Sequence, residues 1–229
     1  MVTIYGHRGA SAELPENTLP AFALVRELGA FGIELDVHLS RDGVPVVIHD
    51  ESVDRTTDGT GNVTELDLAD LLQLDAGNGA TIPTLGEVLD LVGDAMHVDI
   101  EVKAAAAADP VLVETGNRPN LRFAISSFDH DVLRHLRTRS DEIELWPLID
   151  GVSIGAIATA KEIGAPRFAA KDQMLNEEII AAARANGLEI WAWTVNDPDR
   201  AEELVAWGAT GICTDDPRAM LTRFGNRSE

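Results

Sequence analysis

Residues 6–22, GHRGASAELPENTLPAF, and residues 32–50, GIELDVHLSRDGVPVVIHD, set two histidines on either side of an acidic strand end. The apolar run over residues 31–37 has strand length, and a period of two puts Glu34 and Asp36 on one face of it. Two carboxylates side by side repel unless something positive lies between them, and a divalent cation is the ordinary solution. His7 and His49 flank that strand end, and two histidines beside a metal can share the work of base and acid.

Outward from this stretch, short β-rich apolar runs alternate with helical patterns. Strands are expected over 3–5, 31–37, 96–102, 121–125, 143–148, 167–169, 189–194 and 211–213. Helices are expected over 19–28, 85–92, 130–139, 176–186 and 199–207. Eight strand–helix units in 229 residues predict an α/β chain folded as a (β/α)8 TIM barrel. A doubly wound sheet would carry a Gly-rich dinucleotide turn after its first strand, and His7-Arg8-Gly9 is not one.

Two segments break the rhythm. Residues 51–83, between strand 2 and its helix, are rich in Gly, Asn, Asp and Thr around one short amphipathic stretch, 66–74. A connection this long is expected to be a small inserted cap on a single barrel domain spanning 1–229. The helix after it opens with Thr84-x-x-Glu87, a capping box. Residues 103–125 leave room for only a short third helix, which would thin the barrel wall there.

In a barrel the chemistry lies at the C-terminal strand ends. His7 ends strand 1, Glu34 and Asp36 strand 2, Glu101 and Lys103 strand 3, with His49 a short ribbon away. Glu34, Asp36 and Glu101 are the expected metal ligands. Three carboxylates without cysteine suit a hard cation, Mg²⁺ or Ca²⁺ before Mn²⁺. Asp99 shares their face but lies deeper. Arg8 and Lys103 are placed to meet phosphate oxygens, with pairing to neighbouring carboxylates as the alternative. His38, His97, His130 and His135 take structural readings. Asn17 or Thr18 is expected to cap the first helix, with the polar tips of Glu16-Asn17-Thr18 also bordering the site, and Asp215 the last; Trp191 and Phe128 are expected to be partly core.

The His-Arg-Gly turn, the Pro-Glu-Asn-Thr helix entry, the Glu-x-Asp strand, the Asp42-Gly43 turn and the His49-Asp50 pair stand in the order and spacing of one family. The chain resembles the glycerophosphodiester phosphodiesterases over nearly its whole length, and Arg55-Thr56-Thr57 matches the opening of the insertion that family carries. The resemblance implies hydrolysis of a small-molecule glycerophosphodiester to sn-glycerol 3-phosphate and an alcohol. It implies His7 and His49 as the catalytic pair, a divalent ion on Glu34, Asp36 and Glu101, and Trp193, within a Trp-Thr-Val-Asn segment, as a wall of the substrate pocket. Two rivals share the fold: a phospholipase-D-like lyase acting on lysolipids and stopping at a cyclic phosphate, and a non-catalytic phosphate-binding relative. The lyases usually lack the insertion, and intact histidines and carboxylates count against the second.

Composition narrows the partners. A formal charge of −21 and a pI near 4.5 argue against nucleic acid and against stable association with anionic membranes. Such a surface repels an anionic diester at long range, so local cations must hold it, and the chain has three lysines, Lys103, Lys161 and Lys171. The N-terminus has no basic start followed by an apolar run, and no stretch of about 18 apolar residues occurs, so a cytoplasmic location is expected. Cys213, in an apolar strand, reads as a buried core thiol. Nothing in the sequence sets an oligomeric state.

Overall fold

The computed structural model describes residues 2–150 and 154–225. Strand β1 (Thr3–His7) leads through a turn to helix α1 (Leu19–Leu28), then to β2 (Gly32–Leu39) and a short antiparallel partner β3 (Pro45–Val47). A one-turn helix α2 (Leu68–Leu71) interrupts the long connection to α3 (Leu85–Val92). The alternation then runs β4 (His97–Val102), α4 (Ala108–Gly116), β5 (Arg122–Ser127), α5 (His130–Arg139), β6 (Glu144–Ile149) and α6 (Ile154–Glu162). It ends with β7 (Arg167–Lys171), α7 (Glu177–Ala185), β8 (Glu189–Trp193), α8 (Pro198–Trp207), β9 (Gly211–Thr214) and α9 (Pro217–Phe224). Strands β1, β2 and β4 to β9 pair in parallel in sequence order, and β9 returns to β1, closing an eight-stranded TIM barrel.

Each expected strand and helix is present, with ends moved by a few residues. The third helix is the exception to the expectation. A 3₁₀ turn at Ala105–Ala107 runs into α4, which at nine residues equals α7. Pro110 falls in the first turn of α4, where its missing amide has no partner to lose, so the helix starts ahead of the proline. The barrel wall is not thinned. The capping box at Thr84 forms in both directions, Glu87 N–H to Thr84 Oγ1 at 3.2 Å and Thr84 N–H to Glu87 Oε2 at 2.8 Å.

The strand period sorts side chains into two layers. On β2, Ile33, Leu35 and Val37 are buried among Phe22, Val25, Leu89 and Val92 in the core between barrel and helices. The alternate face of the strands builds the interior, where Tyr5, Ala124, Trp146, Leu148, Ala169, Trp191 and Cys213 pack together. Glycine makes room for these rings: a Cβ on Gly32 would sit 2.6 Å from the Tyr5 ring, and one on Gly211 2.4 Å from that of Trp191. The two rings accordingly reach a centroid separation of 3.9 Å.

Strand β3 was too short to stand out in the sequence. It pairs with β2 at Val37–Val47, and the Ile48 amide donates to Asp36 O at 3.0 Å, which carries the chain back over β2 to His49. Beyond it, Val46, Ile48, Val53, Val63, Leu71, Ala76 and Ile82 form a separate apolar cluster, with Leu66, Leu68 and Leu74 packed on it. Among the described residues no helix is long and apolar enough to cross a membrane.

Candidate active site

Register brings the expected residues together at the C-terminal ends of the strands. His7 on β1 pairs with Glu34 on β2, and Asp36 pairs with Glu101 on β4. Glu34, Asp36 and Glu101 are buried and each offers a carboxylate oxygen lying within 4.8 Å of the other two. His7 Nε2 is 4.0 Å from Glu34 Oε2.

Burial and mutual repulsion set the electrostatics. Burial first, then the charges of Asp36 and Glu101, push the Glu34 carboxyl well above its usual value. Glu101 is raised by the same causes, burial and then Asp36. Burial would raise Asp36 too, but Arg8, Lys103, His49 and a hydrogen bond from Asn17 hold it below the usual range. Beneath them, burial pushes Asp99 up to about 8, so at neutral pH that residue is largely a neutral acid. Asp36 Oδ1 is buried and accepts no hydrogen bond among the described residues. A close oxygen triad with two carboxyls raised by burial and repulsion, and a buried Asp36 oxygen that accepts no hydrogen bond, fits a hard divalent cation.

Both cations lie among the carboxylates. Arg8 Nη1 donates to Glu16 Oε1 at 3.0 Å and Arg8 Nε lies 3.3 Å from Asp36 Oδ2. Lys103 Nζ donates to Glu101 Oε1 at 2.7 Å and is 3.4 Å from Asp36 Oδ1. The turn that delivers Arg8 is conformationally demanding: Arg8 and Asn17 have φ of 58° and 57°, in the left-handed region. Two bonds tie it down, as the Arg8 amide donates to Glu34 O and to Glu34 Oε2, each at 3.0 Å.

The histidine rings are braced from behind. His7 Nδ1 is 2.6 Å from Asp215 Oδ1, and Asp215 also accepts from Ser11 Oγ at 3.1 Å and from Asn196 Nδ2 at 2.6 Å. His49 Nδ1 is 2.6 Å from Asp50 Oδ1, and Asp50 is held by Arg55 through Nε at 2.7 Å and Nη2 at 2.9 Å. Burial would raise Asp215, but His7, Asn196 and Ser11 hold it below the usual carboxylate range. Arg55 and His49 do the same for Asp50. Both acids are therefore ionised, so each Nδ1 carries the proton and donates it, leaving Nε2 as the free basic nitrogen.

Asp215 does not cap the last helix. Asp216 does, accepting from the Ala219 amide at 2.9 Å, which frees Asp215 to reach His7. Neither Asn17 nor Thr18 caps α1 with its side chain: Asn17 Nδ2 donates to Asp36 Oδ2 at 2.8 Å, and the Thr18 hydroxyl donates to Pro15 O at 2.7 Å. Asp50, Ser11 and Asn196 drew no role from the sequence. The adjacency in His49-Asp50 was the available signal for the first.

A cavity of about 70 Å³ opens at the mouth, lined by His7, His49, Glu34, Glu101, Lys103 and Trp193, with Trp191 deeper. Trp191 is buried, as expected, but Phe128 is 41% exposed and meets Trp193 edge-on, with ring centroids 5.5 Å apart. It is a rim residue, following the last residue of β5 and lining the cavity beside Trp193. The other histidines serve the framework. His38 Nε2 lies 3.1 Å from His49 O and His130 Nε2 3.1 Å from Leu148 O, His135 pairs with Asp109, and His97 stacks on Trp146.

A closed parallel barrel with a cluster of charged side chains at one mouth is a TIM barrel, the class whose enzymes carry their chemistry at the C-terminal strand ends. Comparison with known proteins gives the family: the model of the glycerophosphoryl diester phosphodiesterase family matches residues 7–219, and the chain belongs to it. A glycerophosphodiester phosphodiesterase of Caldanaerobacter subterraneus subsp. tengcongensis is 36% identical over 232 residues, covering 95% of this chain and 96% of its own. The Thermotoga maritima glycerophosphodiester phosphodiesterase structure superposes with a TM-score of 0.86 at 33% identity, covering 97% of this chain and 98% of that one. An Oleispira antarctica phosphodiesterase, solved with the product sn-glycerol-3-phosphate, gives a TM-score of 0.93 at 26% identity, over 97% and 96% of the two chains.

Proposed function

We propose that this chain hydrolyses glycerophosphodiesters to sn-glycerol 3-phosphate and an alcohol, with His7 and His49 as the proton-transfer pair. Glu34, Asp36 and Glu101 hold the divalent cation the reaction needs, Mg²⁺ or Ca²⁺ before Mn²⁺. The observation that carries this reading is the triad of carboxylate oxygens within 4.8 Å, directly under a histidine nitrogen, in a member of this family. The product bound to the Oleispira relative supports the choice of substrate class.

The divalent cation supplies Lewis acidity, offsetting negative charge on the phosphoryl oxygens. This chain's residues do the rest. With Nδ1 fixed on its aspartate, one histidine takes the proton of the attacking hydroxyl on Nε2. The other, protonated, gives its Nε2 proton to the departing alkoxide. The nucleophile is the glycerol 2-hydroxyl, which gives a cyclic phosphate, and water then opens that ring with the two histidines exchanging roles. Arg8 offers a fork of N–H donors and Lys103 a point charge to the phosphoryl oxygens, and both are kept in place by carboxylates when substrate is absent. Trp193 forms the wall beside the glycerol. Residues 51–83 act as a cap at the edge of the mouth, their leucines turned into their own cluster and not toward the substrate.

The test is incubation with glycerophosphocholine, glycerophosphoethanolamine and bis(p-nitrophenyl) phosphate, with and without EDTA, detecting glycerol 3-phosphate from the first two. EDTA is expected to abolish turnover, and added Mg²⁺ or Ca²⁺ to restore it. Undiminished activity after exhaustive chelation would sink the metal assignment.

A further inference from the structure

We infer that Arg55, contributed by the 51–83 segment, is a positioning residue for His49, acting through Asp50 and anchored on Glu16. The inference rests on the reading of His49 as a proton-transfer group. Its geometry is a double chelate. Arg55 Nε and Nη2 grip the two oxygens of Asp50 at 2.7 and 2.9 Å, while Nη1 and Nη2 grip those of Glu16 at 2.9 and 2.8 Å. Asp50 in turn accepts from His49 Nδ1 at 2.6 Å.

An exposed ion pair ordinarily contributes little, and Arg55 is 47% exposed at its side chain. Three features set this one apart. First, one guanidinium holds two carboxylates that would otherwise repel, and they come from different parts of the chain: Glu16 from the turn after β1, Asp50 from the ribbon after β3. Second, three of its nitrogens are engaged in forked bonds, a geometry that a lysine ammonium cannot reproduce. Third, the chain of charges does not end at Glu16. Glu16 Oε1 also accepts from Arg8 Nη1 at 3.0 Å, and Arg8 Nε stands 3.3 Å from Asp36. His49 is thus joined to the buried carboxylates by a relay of alternating charge: Asp50, Arg55, Glu16, Arg8, Asp36.

The other histidine has a different brace. Asp215, behind His7, is steadied by the neutral donors Ser11 and Asn196. Loss of Arg55 therefore frees Asp50 to rotate and releases the His49 ring, while the His7 brace stays intact. Arg55 is not among the residues lining the cavity and reaches the phosphate-facing Arg8 only through Glu16, so the larger effect falls on turnover and the smaller on substrate binding.

The experiment measures kcat and KM of Arg55→Gln and Arg55→Ala on glycerophosphocholine at saturating Mg²⁺, beside Asp50→Asn and the double variant Asp50→Asn/Arg55→Gln. The expected result is a kcat lower by about 10- to 10²-fold with a much smaller change in KM, the scale of a misplaced catalytic group. The double variant should be no slower than Asp50→Asn, because both substitutions remove one brace. Added guanidinium ion should restore part of the Arg55→Ala rate, and Arg55→Lys should not. In histidine-labelled protein, the downfield Nδ1 proton resonance of His49, assigned with His7 and His49 variants, should shift in Arg55→Gln while that of His7 does not. Thermal unfolding of the variant checks that the fold is kept. A kcat within about twofold of wild type in Arg55→Gln, or losses that multiply in the double variant, would overturn the inference. So would an unmoved His49 resonance. If the wild-type protein releases no glycerol 3-phosphate, the proposed function fails by itself, and the resonance still reports whether Arg55 braces His49.

Discussion

At the mouth of the barrel, Glu34, Asp36 and Glu101 crowd three carboxylates within 4.8 Å; deeper in the barrel, the interior is a stack of rings. Strand β4 shows the change in three steps, His97, Asp99 and Glu101. The His97 ring lies parallel to Trp146 at 5.4 Å, Asp99 is a buried acid, and Glu101 belongs to the charged triad. At the floor the Arg167 guanidinium sits over Trp146 at 5.0 Å and Trp191 at 5.3 Å as well as pairing with Glu144 and Glu189 at 3.2 Å, while at the mouth Arg8 and Lys103 pair with the carboxylates of the site. Favourable packing is concentrated below and repulsion above. The comparison predicts that substitutions at the two ends separate turnover from stability.

The largest effect should come from the mouth. His7→Ala and His49→Ala are each expected to lose about 10² to 10⁴ in kcat while still binding substrate, since each acts on a proton in transfer. The double variant should fall far short of the product of the two losses. Near-wild-type kcat in either single variant would break the pairing.

A mirrored pair of substitutions comes next. Trp146→Ala at the floor is expected to cost about 3–5 kcal/mol in urea unfolding, the range for deleting a large buried aromatic. Glu34→Gln at the mouth should cost little or raise the stability of the metal-free protein, because it removes one of three mutually repelling charges. If Glu34→Gln proved as destabilising as Trp146→Ala, the division between the two ends would be wrong.

A smaller effect sharpens the picture of the floor. Burial, with Arg167 and Arg122 nearby, lowers His97 from 6.5 to about 3, so the folded protein keeps it neutral where the unfolded chain protonates it. The unfolded state then binds the extra proton, and stability must fall as pH drops below 6.5 toward 3. Between pH 7 and 5.5 this one residue should remove about 1 kcal/mol. His97→Phe should flatten that part of the pH–stability curve, and an unchanged slope would place the titration elsewhere.

The smallest expected difference concerns the substrate's far end. The residues lining the cavity come from the barrel strands and the turns just beyond them, with His49, while the leucines of 66–74 turn into their own cluster. Choline, ethanolamine and glycerol diesters should therefore have kcat/KM values within about tenfold, or ~1.4 kcal/mol of transition-state binding. Long-chain lysolipids should be poor substrates. A preference above about a hundredfold for one headgroup would show that the mouth reads the leaving alcohol.

The barrel and its acidic mouth were legible because both follow from a period of two. Glu34 and Asp36 had to share a face, and the apolar runs around them had to be strands. The supporting groups were much less so. Asp215 meets His7 across 208 positions, and nothing local separates it from Asp216, which takes the cap. Asn17 and Thr18 have the chemistry of caps, but Asp36 on β2 claims the Asn17 side chain, and the Thr18 hydroxyl turns back to the carbonyl of Pro15. Strand β3 spans three residues and shows no period, and α4 is longer than the room in residues 103–125 suggests, because the helix starts ahead of Pro110. What a sequence hides here is which of several equally able polar groups a distant strand will engage.

Strand β3 also divides the molecule thermodynamically. Val47 is buried in the core under the helices, whereas its neighbours Val46 and Ile48 belong to the cluster of the 51–83 segment. That small cluster buries far less apolar surface than the barrel, so its free energy of opening should be correspondingly lower. Amide exchange and limited proteolysis would then register two thresholds, with the segment yielding first. Because Arg55 rides on that segment, partial opening would silence His49 while the barrel was still intact, and heat inactivation would precede global melting.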